Sequence, residues 1–385
     1  FTAGQFYNIK GQMVRISLVM VITFLFTAFS SSFAESGETI KVAAIFAKTG
    51  NAVLGNSTAL NGVRFAVEEL NQQGGVLGKQ LELLEFDNKS TSLGSKLAAK
   101  MAVKAKVITV FGANWSSHSL AMAPVFQAAG IPMISPFSTN PRVTLVGDYI
   151  FRICYTDLFQ GKIVARFAIQ DLNAGTAGVL INANSAFSEG LANLFIQSYR
   201  QQGGKILFVK HYLEKTADFT PFLDEIRTFR PEVIFLPGHI KDSSFIIKQA
   251  RIGGIKSIFI GGDGWNESMY KAVGSVIEGN YYANQWHQDG SGQKNRRFVE
   301  KYRHRSRDFD AGSALGEDAV FLFADAVRRA GSLDPTRIRD AIAATRDFPG
   351  VTGNISFDRN GDPIKPAVIL KFEKGASIYV KTIDP

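Results

Sequence analysis

The stretch that decides the fold runs from residue 107 to residue 139 and reads VITVFGANWSSHSLAMAPVFQAAGIPMISPFST. A β-branched run ends at Gly112, a hydroxyl-rich loop leads into an alanine-rich segment that ends at Gly130, and a second short apolar run follows. This order predicts strand, loop, helix, strand and loop, which is the repeating unit of a parallel α/β sheet. Ligands of such sheets bind beyond the carboxyl ends of the strands.

Both loops of this unit carry hydroxyl groups suited to an anion. The first loop places Ser116 at the start of the predicted helix, where free backbone N–H groups favour a carboxylate. The second loop contains Ser138 and Thr139, which would reach the same crevice. For one isolated loop, an alternative stays open: Ser116 or Ser117 only caps the helix.

The composition describes a globular chain large enough for two domains. Its 385 residues are 45% hydrophobic and 20% charged, with a formal net charge of +9. The densest basic run lies between Arg296 and Arg307, where a solvated helix face is expected. No nucleic-acid-binding motif accompanies it, so no nucleic-acid partner is predicted. The single cysteine, Cys154, is expected to be a buried strand residue, and it excludes a disulfide within the chain.

The N-terminal segment predicts export. Residues 13–34 contain Arg15, then an almost entirely apolar run, then small residues that end at Ala34. This order is the pattern of a secretory signal peptide with its cleavage site. Residues 1–12 precede Met13 and are expected to be a tag or an upstream artefact. We therefore expect a soluble protein in the periplasm after removal of the signal peptide.

The same alternation of strands and helices continues along the chain. Short apolar runs predict strands at 40–46, 81–86, 178–182, 231–236 and 258–260. Similar helix ends at 70–75 and 199–204 favour two α/β lobes of like build, although any two helix–strand junctions share such features. In a two-lobed fold, the strand ends would direct five side chains into one cleft: Ser116, Thr139, Phe187, His239 and Asp263.

No pattern supports catalysis or a bound metal. The segment GGVLGKQ at 74–80 lacks both ends of a P-loop, and Pro363 stands where a calcium loop beginning at Asp358 needs glycine. The five histidines have no metal-ligand spacing, and no nucleophile–base pair is recognisable. We predict no cofactor, no metal and no enzymatic activity.

Taken in order, four segments resemble the type I periplasmic solute-binding proteins, specifically the leucine/isoleucine/valine-binding family of ABC importers. They are NGVRFAVEELNQQGGVLG at 61–78, AGIPMISP at 129–136, QARIGG at 249–254 and AGSLDP at 330–335. The resemblance covers nearly everything from Ile40 onward. It implies an α/β fold of the periplasmic binding protein-like I type, with two Rossmann-like lobes, parallel-sheet cores and a three-segment hinge.

The resemblance also implies where the lobes begin and end. Lobe 1 would comprise 38–156 plus 286–363, and lobe 2 would comprise 157–285 plus 364–385. The chain would cross between them near 155–157, 284–287 and 363–366.

Individual residues acquire roles from the same resemblance. Ser116 and Thr139 match the positions that hold the ligand's α-carboxylate, and Thr139 would also contact the ammonium. Asp263 stands where the family has an acidic residue facing that ammonium. Phe137 and Ser138 occupy adjoining positions whose backbone groups would serve the ligand.

Two positions depart from the family pattern. Phe187 and His239 stand where relatives often carry tyrosine. Phe187 cannot donate a hydrogen bond, and His239 introduces a pH dependence. Trp115, Phe137, Phe187 and Trp265 would line an apolar pocket for the ligand's side chain, or alternatively belong to the ordinary core.

These features predict an exported protein that captures an amino acid, neutral aliphatic or aromatic, by hinge closure and delivers it to an ABC importer. The alternative is a periplasmic sensor domain for an amide, urea or aromatic carboxylate; an enzyme is the third and weakest hypothesis. The expected partners are a small-molecule ligand and the membrane subunits of an ABC permease, and a monomer is the expected oligomeric state.

Overall fold

The computed structural model describes residues 39–306 and 308–385. The predicted artefact at 1–12 and the predicted signal peptide at 13–34 lie outside these residues. The described chain contains two large sheets, each flanked by helices, which confirms the predicted two-lobed α/β fold. No helix in the described ranges is long and apolar enough to cross a membrane.

The first sheet has five strands in the order β2-β1-β3-β4-β5, all paired in parallel. Its strands are β1 (Ile40–Phe46), β2 (Leu81–Asp87), β3 (Val110–Gly112), β4 (Met133–Ser135) and β5 (Ile150–Arg152). The helices between them are α1 (Ser57–Gln72), α2 (Ser92–Lys104) and α3 (Ser116–Ala129). Gly130 ends α3 in the left-handed conformation, at φ 63°.

The second sheet has seven strands in the order β14-β13-β10-β9-β8-β6-β7. They are β6 (Thr176–Asn182), β7 (Lys205–Tyr212), β8 (Val233–Phe235), β9 (Ile258–Gly261), β10 (Tyr281–Asn284), β13 (Ala367–Glu373) and β14 (Ala376–Ile383). Within this sheet the pairings β10–β13 and β13–β14 are antiparallel, and the other pairings are parallel. The helices of this lobe are α4 (Asp157–Gln170), α5 (Ala186–Gln201), α6 (Thr220–Phe229), α7 (Ile240–Ile252) and α8 (Ser268–Val273).

The segment between β10 and β13 returns to the first lobe. It forms α9 (Gln293–Arg305), α10 (Ala311–Ala330), α11 (Pro335–Ala343) and the small hairpin of β11 (Phe348–Gly350) and β12 (Gly353–Ile355). Helix α10 packs on α1 so closely that a Cβ on Gly62 would lie 2.3 Å from Ser313 O. The chain therefore passes between the lobes three times, and the residue boundaries given above stay a prediction.

Some strands begin or end away from their predicted positions. Strand β6 begins at Thr176 rather than 178, and β8 covers Val233–Phe235 rather than 231–236. Helix α5 begins at Ala186, because Ser185 Oγ accepts from Ser188 N–H and caps it. Three short 3-10 turns, at Val53–Gly55, Thr144–Val146 and Gly274–Ile277, complete the described elements. Cys154 is buried, as predicted, but it lies in a bend after β5 rather than in a strand.

Candidate functional site

A cavity of about 700 Å³ lies between the two lobes. The first lobe lines it with the loop before α1, the loop into α3 and the start of α10; the second lobe contributes the loops that follow β6, β8 and β9. Most of the predicted site residues line this cavity: Trp115, Ser116, Phe137, Phe187, His239, Asp263 and Trp265. Ser138 and Thr139 are buried beside it and are not part of its lining.

The first-lobe face is built on the N-terminus of α3. Trp115 is extended, at φ −80° and ψ 133°, so the helix begins at Ser116 with its first backbone N–H groups free. Ser116 Oγ accepts from Asn140 N–H over 3.2 Å. The hydroxyl of Ser138 is used inside the lobe, where it lies 2.8 Å from Ser119 Oγ and donates to backbone carbonyls. This face therefore offers neutral hydrogen-bond donors at a helix N-terminus.

A buried arginine holds the second loop of this face in place. Arg152 donates to the carbonyl of Ser138 and, over 2.9 Å, to that of Asn140. Its Nε lies 2.6 Å from Asp362 Oδ1, so its charge is matched within the first lobe. Thr139 Oγ1, in the same loop, is buried and forms no hydrogen bond of regular geometry, although it lies close enough to Asp157 to lower the pKa of that carboxyl. The threonine hydroxyl is thus left with unused hydrogen-bonding capacity.

The second-lobe face carries the buried carboxylate of Asp263, just beyond the end of β9. Gln160 Nε2 donates to Asp263 Oδ1 over 3.0 Å, and Gln285 Nε2 donates to Oδ2 over 2.8 Å. Both donors are neutral, and no Lys or Arg of the described residues forms an ion pair with this carboxylate. Burial raises the pKa of Asp263 to about 6, although the two amides lower it. A positive charge brought by a ligand would favour its ionised form.

A second carboxylate lies close to Asp263. Asp157 Oδ1 is 3.4 Å from Gln160 Nε2, and its Oδ2 has no hydrogen-bond partner. Burial and the neighbouring Asp263 raise the pKa of Asp157 well above its usual value. Asp157 does not line the cavity, and ionisation of either carboxyl group disfavours ionisation of the other.

Four stacked rings bridge the two lobes. Trp115 of the first lobe lies on His239 of the second, with ring centroids 3.9 Å apart and planes 7° apart. His118 flanks Trp115 at 5.4 Å, and Phe187 flanks His239 at 5.3 Å. Burial lowers the pKa of His239 to about 3. Trp115 and His239 already touch, so no ligand ring fits between them in this conformation.

The predicted role of Trp265 as a pocket residue is met only in part. It lines the cavity but is 1% exposed and belongs to the core of the second lobe, 6.2 Å from the ring of Phe372. Its Nε1 has no hydrogen-bond partner.

Hydrogen bonds join the lobes around the cavity. Ala186 N–H donates to Ser117 Oγ over 3.0 Å, and Asn140 Nδ2 donates to Ala186 O over 2.7 Å. Asn266 Nδ2 donates to Asp310 Oδ2 over 2.9 Å. These bonds depend on the lobes being close together, so the structure represents a conformation in which the cleft is shut around the cavity.

Several residues of this site do not follow from the sequence patterns. Gln160 and Gln285 hold Asp263 from positions 103 and 22 residues away. Asn114 and Asp310 also line the cavity. For Asp310 the sequence did contain a signal, because an acidic residue before an alanine-rich helix is typical of a helix cap. In the structure Asp310 accepts from Gly312 N–H as the cap of α10. Within the described ranges, no group of His, Cys, Asp and Glu is arranged to hold a metal ion.

The fold and the site together are those of a solute-binding protein. The model of the periplasmic binding protein family matches residues 39–376, so the chain belongs to this family. The resemblance to leucine/isoleucine/valine-binding proteins is confirmed. The family is one of solute-binding proteins rather than enzymes, while the absence of enzymatic activity in this chain stays a prediction.

Three known proteins illustrate the likeness. The leucine-, isoleucine-, valine-, threonine- and alanine-binding protein of Pseudomonas aeruginosa is 26% identical over 86% of this chain and 89% of its own. The leucine binding protein LivK of Thermotoga maritima has a TM-score of 0.87 and 32% identity, covering 90% of this chain and 99% of its own. A solute binding protein of R. palustris in complex with benzoate has a TM-score of 0.82, with 90% and 97% covered; at 18% identity it shows the fold alone.

Proposed function

We propose that this protein captures an α-amino acid in the cavity between its lobes. The main support for this proposal is the state of Asp263. Its carboxylate is 6% exposed and is held by two neutral amides, and burial raises its pKa to about 6. An α-ammonium group would supply the missing positive charge, since buried charges are stable only when they are paired.

The ligand's α-carboxylate is assigned to the opposite face. Ser116 and the first N–H groups of α3 provide uncharged donors and the positive end of a helix dipole. Thr139 is proposed to contact the ligand through its hydroxyl after a small local adjustment. Phe137, Phe187, His239 and Trp115 then surround the rest of the molecule, together with the edge of Trp265.

Binding is proposed to act by closure. A ligand that contacts Ser116 on one lobe and Asp263 on the other interacts fully only when the lobes are together. Its binding free energy therefore shifts the population toward the closed form, which the bonds across the cavity also stabilise. We propose that the protein acts in the periplasm as a monomer and delivers the ligand to the membrane subunits of an ABC importer.

Thermal unfolding tests the ligand class. The protein is freed of carried-over ligand by unfolding and refolding, then heated with each of a panel of amino acids and small carboxylates. A ligand at about 100 times its dissociation constant should add about 2.7 kcal/mol and raise the melting temperature. A response to amides or aromatic acids, with none to any amino acid, would replace this proposal with the sensor or aromatic-acid alternative.

Delivery to an importer has its own test. Deleting the gene should abolish uptake of the bound amino acid at low concentration. Normal uptake, combined with loss of a regulatory response to that amino acid, would instead favour a sensor.

A further inference from the structure

One end of the cavity is polar, and the amino-acid groups assigned above do not use it. Thr58, Asn114 and Asp310 of the first lobe and Asn266 of the second line this end. Asn266 donates to Asp310 across the cleft, and a Cβ on Gly312 would lie 2.6 Å from Thr58 Oγ1 and 3.0 Å from Asp310 Oδ1. Thr58 and Asp310 therefore flank the same small space.

Asn114 presents an acceptor that has no partner. The residue is 4% exposed, and its Nδ2 donates to Gly55 O over 2.8 Å, which fixes the orientation of the amide. The oxygen, Oδ1, is then left without any hydrogen bond. A buried polar atom left unpaired destabilises its surroundings, so a donor supplied by a ligand would stabilise this position.

Asp310 brings a buried negative charge to the same wall. Its carboxylate accepts from Gly312 N–H over 2.8 Å and from Asn266 Nδ2 over 2.9 Å, and Thr58 and the Ser313 N–H also hydrogen-bond to it. Burial raises its pKa above the usual value despite these bonds. No Lys or Arg of the described residues is paired with it. Capping of α10 explains the residue's presence, but not its place in the cavity wall.

We propose that this polar end binds the ligand's side chain, and that the ligand is an α-amino acid whose side chain ends in N–H donors. Guanidinium, ammonium and carboxamide groups have this chemistry. The inference rests on the proposed function, since it assumes that an amino acid occupies the cavity. An aliphatic side chain would leave Asn114 Oδ1 unpaired and Asp310 without a counter-charge. A cavity of about 700 Å³ has room for a side chain as long as that of arginine.

Calorimetric titration with L-arginine, L-glutamine, L-leucine and L-phenylalanine tests the inference. Arginine or glutamine should bind at least about tenfold more tightly than leucine and phenylalanine, the factor expected from one added hydrogen bond to a charged group. Asp310→Asn keeps a good helix cap and removes the charge. It should weaken the favoured polar ligand about tenfold more than it weakens leucine, because loss of the bond from Asn266 across the cleft affects both ligands alike.

Asp334→Asn is the matched control. Asp334 caps α11 by accepting from Arg337 N–H, and it does not line the cavity, so this variant should change no affinity. If Asp310→Asn fails to fold, Asn114→Leu serves instead and should reduce the preference for the polar ligand over leucine. Tighter binding of leucine or phenylalanine than of both polar ligands overturns the inference and leaves the proposed function standing. Binding of no α-amino acid at all overturns both.

Discussion

The two faces of the cavity differ in the chemistry they offer to a ligand. The first lobe presents a helix N-terminus with Ser116 and a loop fixed by Arg152, and the charge of that arginine is already matched by Asp362. The second lobe presents Asp263 and His239, whose protonation depends strongly on burial. A zwitterion therefore needs both faces, and pH should act on its binding mainly through the second face.

The largest expected effect comes from removing the charge of the second face. In Asp263→Asn the ammonium loses its only proposed counter-charge, and breaking such a buried pair costs about 2–5 kcal/mol. We expect amino-acid affinity to fall at least about 30-fold by calorimetry. Asp171→Asn is the control, because Asp171 pairs with Lys381 at the surface of the same lobe. Retention of near-native affinity in Asp263→Asn would show that the ammonium lies elsewhere.

The next effect is a pH dependence carried by His239. Its pKa is lowered to about 3 where the lobes meet, and it should return toward its usual value of about 6.5 when the ring is exposed in an open form. The open form then binds a proton below about pH 6.5 that the closed form excludes. Acid therefore favours opening, and affinity should fall up to about tenfold per pH unit between pH 6.5 and pH 4.

His239→Phe isolates this effect. Phenylalanine keeps the stack between Trp115 and Phe187 and cannot be protonated. Affinity at pH 7.5 should stay within about fivefold of the native value, since the substitution removes the hydrogen bond between Ser185 Oγ and the imidazole, which is worth about 1 kcal/mol or less. The loss of affinity toward pH 5 should become shallower, and the part that remains should come from protonation of Asp263, whose pKa is about 6. An equally steep pH profile in this variant would assign the titration to another group.

A smaller effect is expected on the first face. Ser116→Ala removes one hydroxyl that is proposed to bind the ligand's carboxylate. That hydrogen bond is worth about 1 kcal/mol, or roughly fivefold in affinity. No titrating side chain of this face is proposed to bind the carboxylate. The ratio of native to variant affinity should therefore be the same at pH 7.5 and pH 5.5. A ratio that changes with pH would break the distinction between the two faces.

The smallest effect concerns a bond between the lobes rather than to the ligand. Ser117→Ala removes the acceptor of Ala186 N–H. The closed form should lose about 0.5–1.5 kcal/mol, appearing as a several-fold faster ligand dissociation in stopped-flow measurements with little change in association. An unaltered dissociation rate would mean that this bond does not limit opening.

The local parts of the molecule could be predicted from the sequence, and the long-range parts could not. Strand and helix patterns around 107–139 indicate the first sheet and the position of Ser116. They do so because the spacing of apolar residues and the glycines that end helices are local signals. The two glutamines that hold the Asp263 carboxylate, Gln160 and Gln285, come from distant segments of the chain. No local pattern therefore predicts this arrangement. The stacking of Trp115 directly on His239 likewise depends on how the lobes meet.

Prediction of side-chain direction was less successful than prediction of the loops. Ser138 and Thr139 lie in the expected loop, but both are buried behind the cavity lining, where Ser138 is occupied by Ser119 and backbone carbonyls. Phe137, one residue earlier, does line the cavity. Their roles toward a ligand, like those of the other site residues, stay predictions.

One measurement tests the central claim most directly: calorimetric titration with amino acids and with the same molecules lacking only the α-ammonium group, at pH 7.5. Leucine is compared with 4-methylpentanoate, phenylalanine with 3-phenylpropanoate, and glutamine with its des-amino counterpart. The account predicts binding of at least one amino acid and at least about 100-fold weaker binding of its des-amino partner. Equal or tighter binding of the des-amino acid would contradict the pairing of an ammonium group with Asp263.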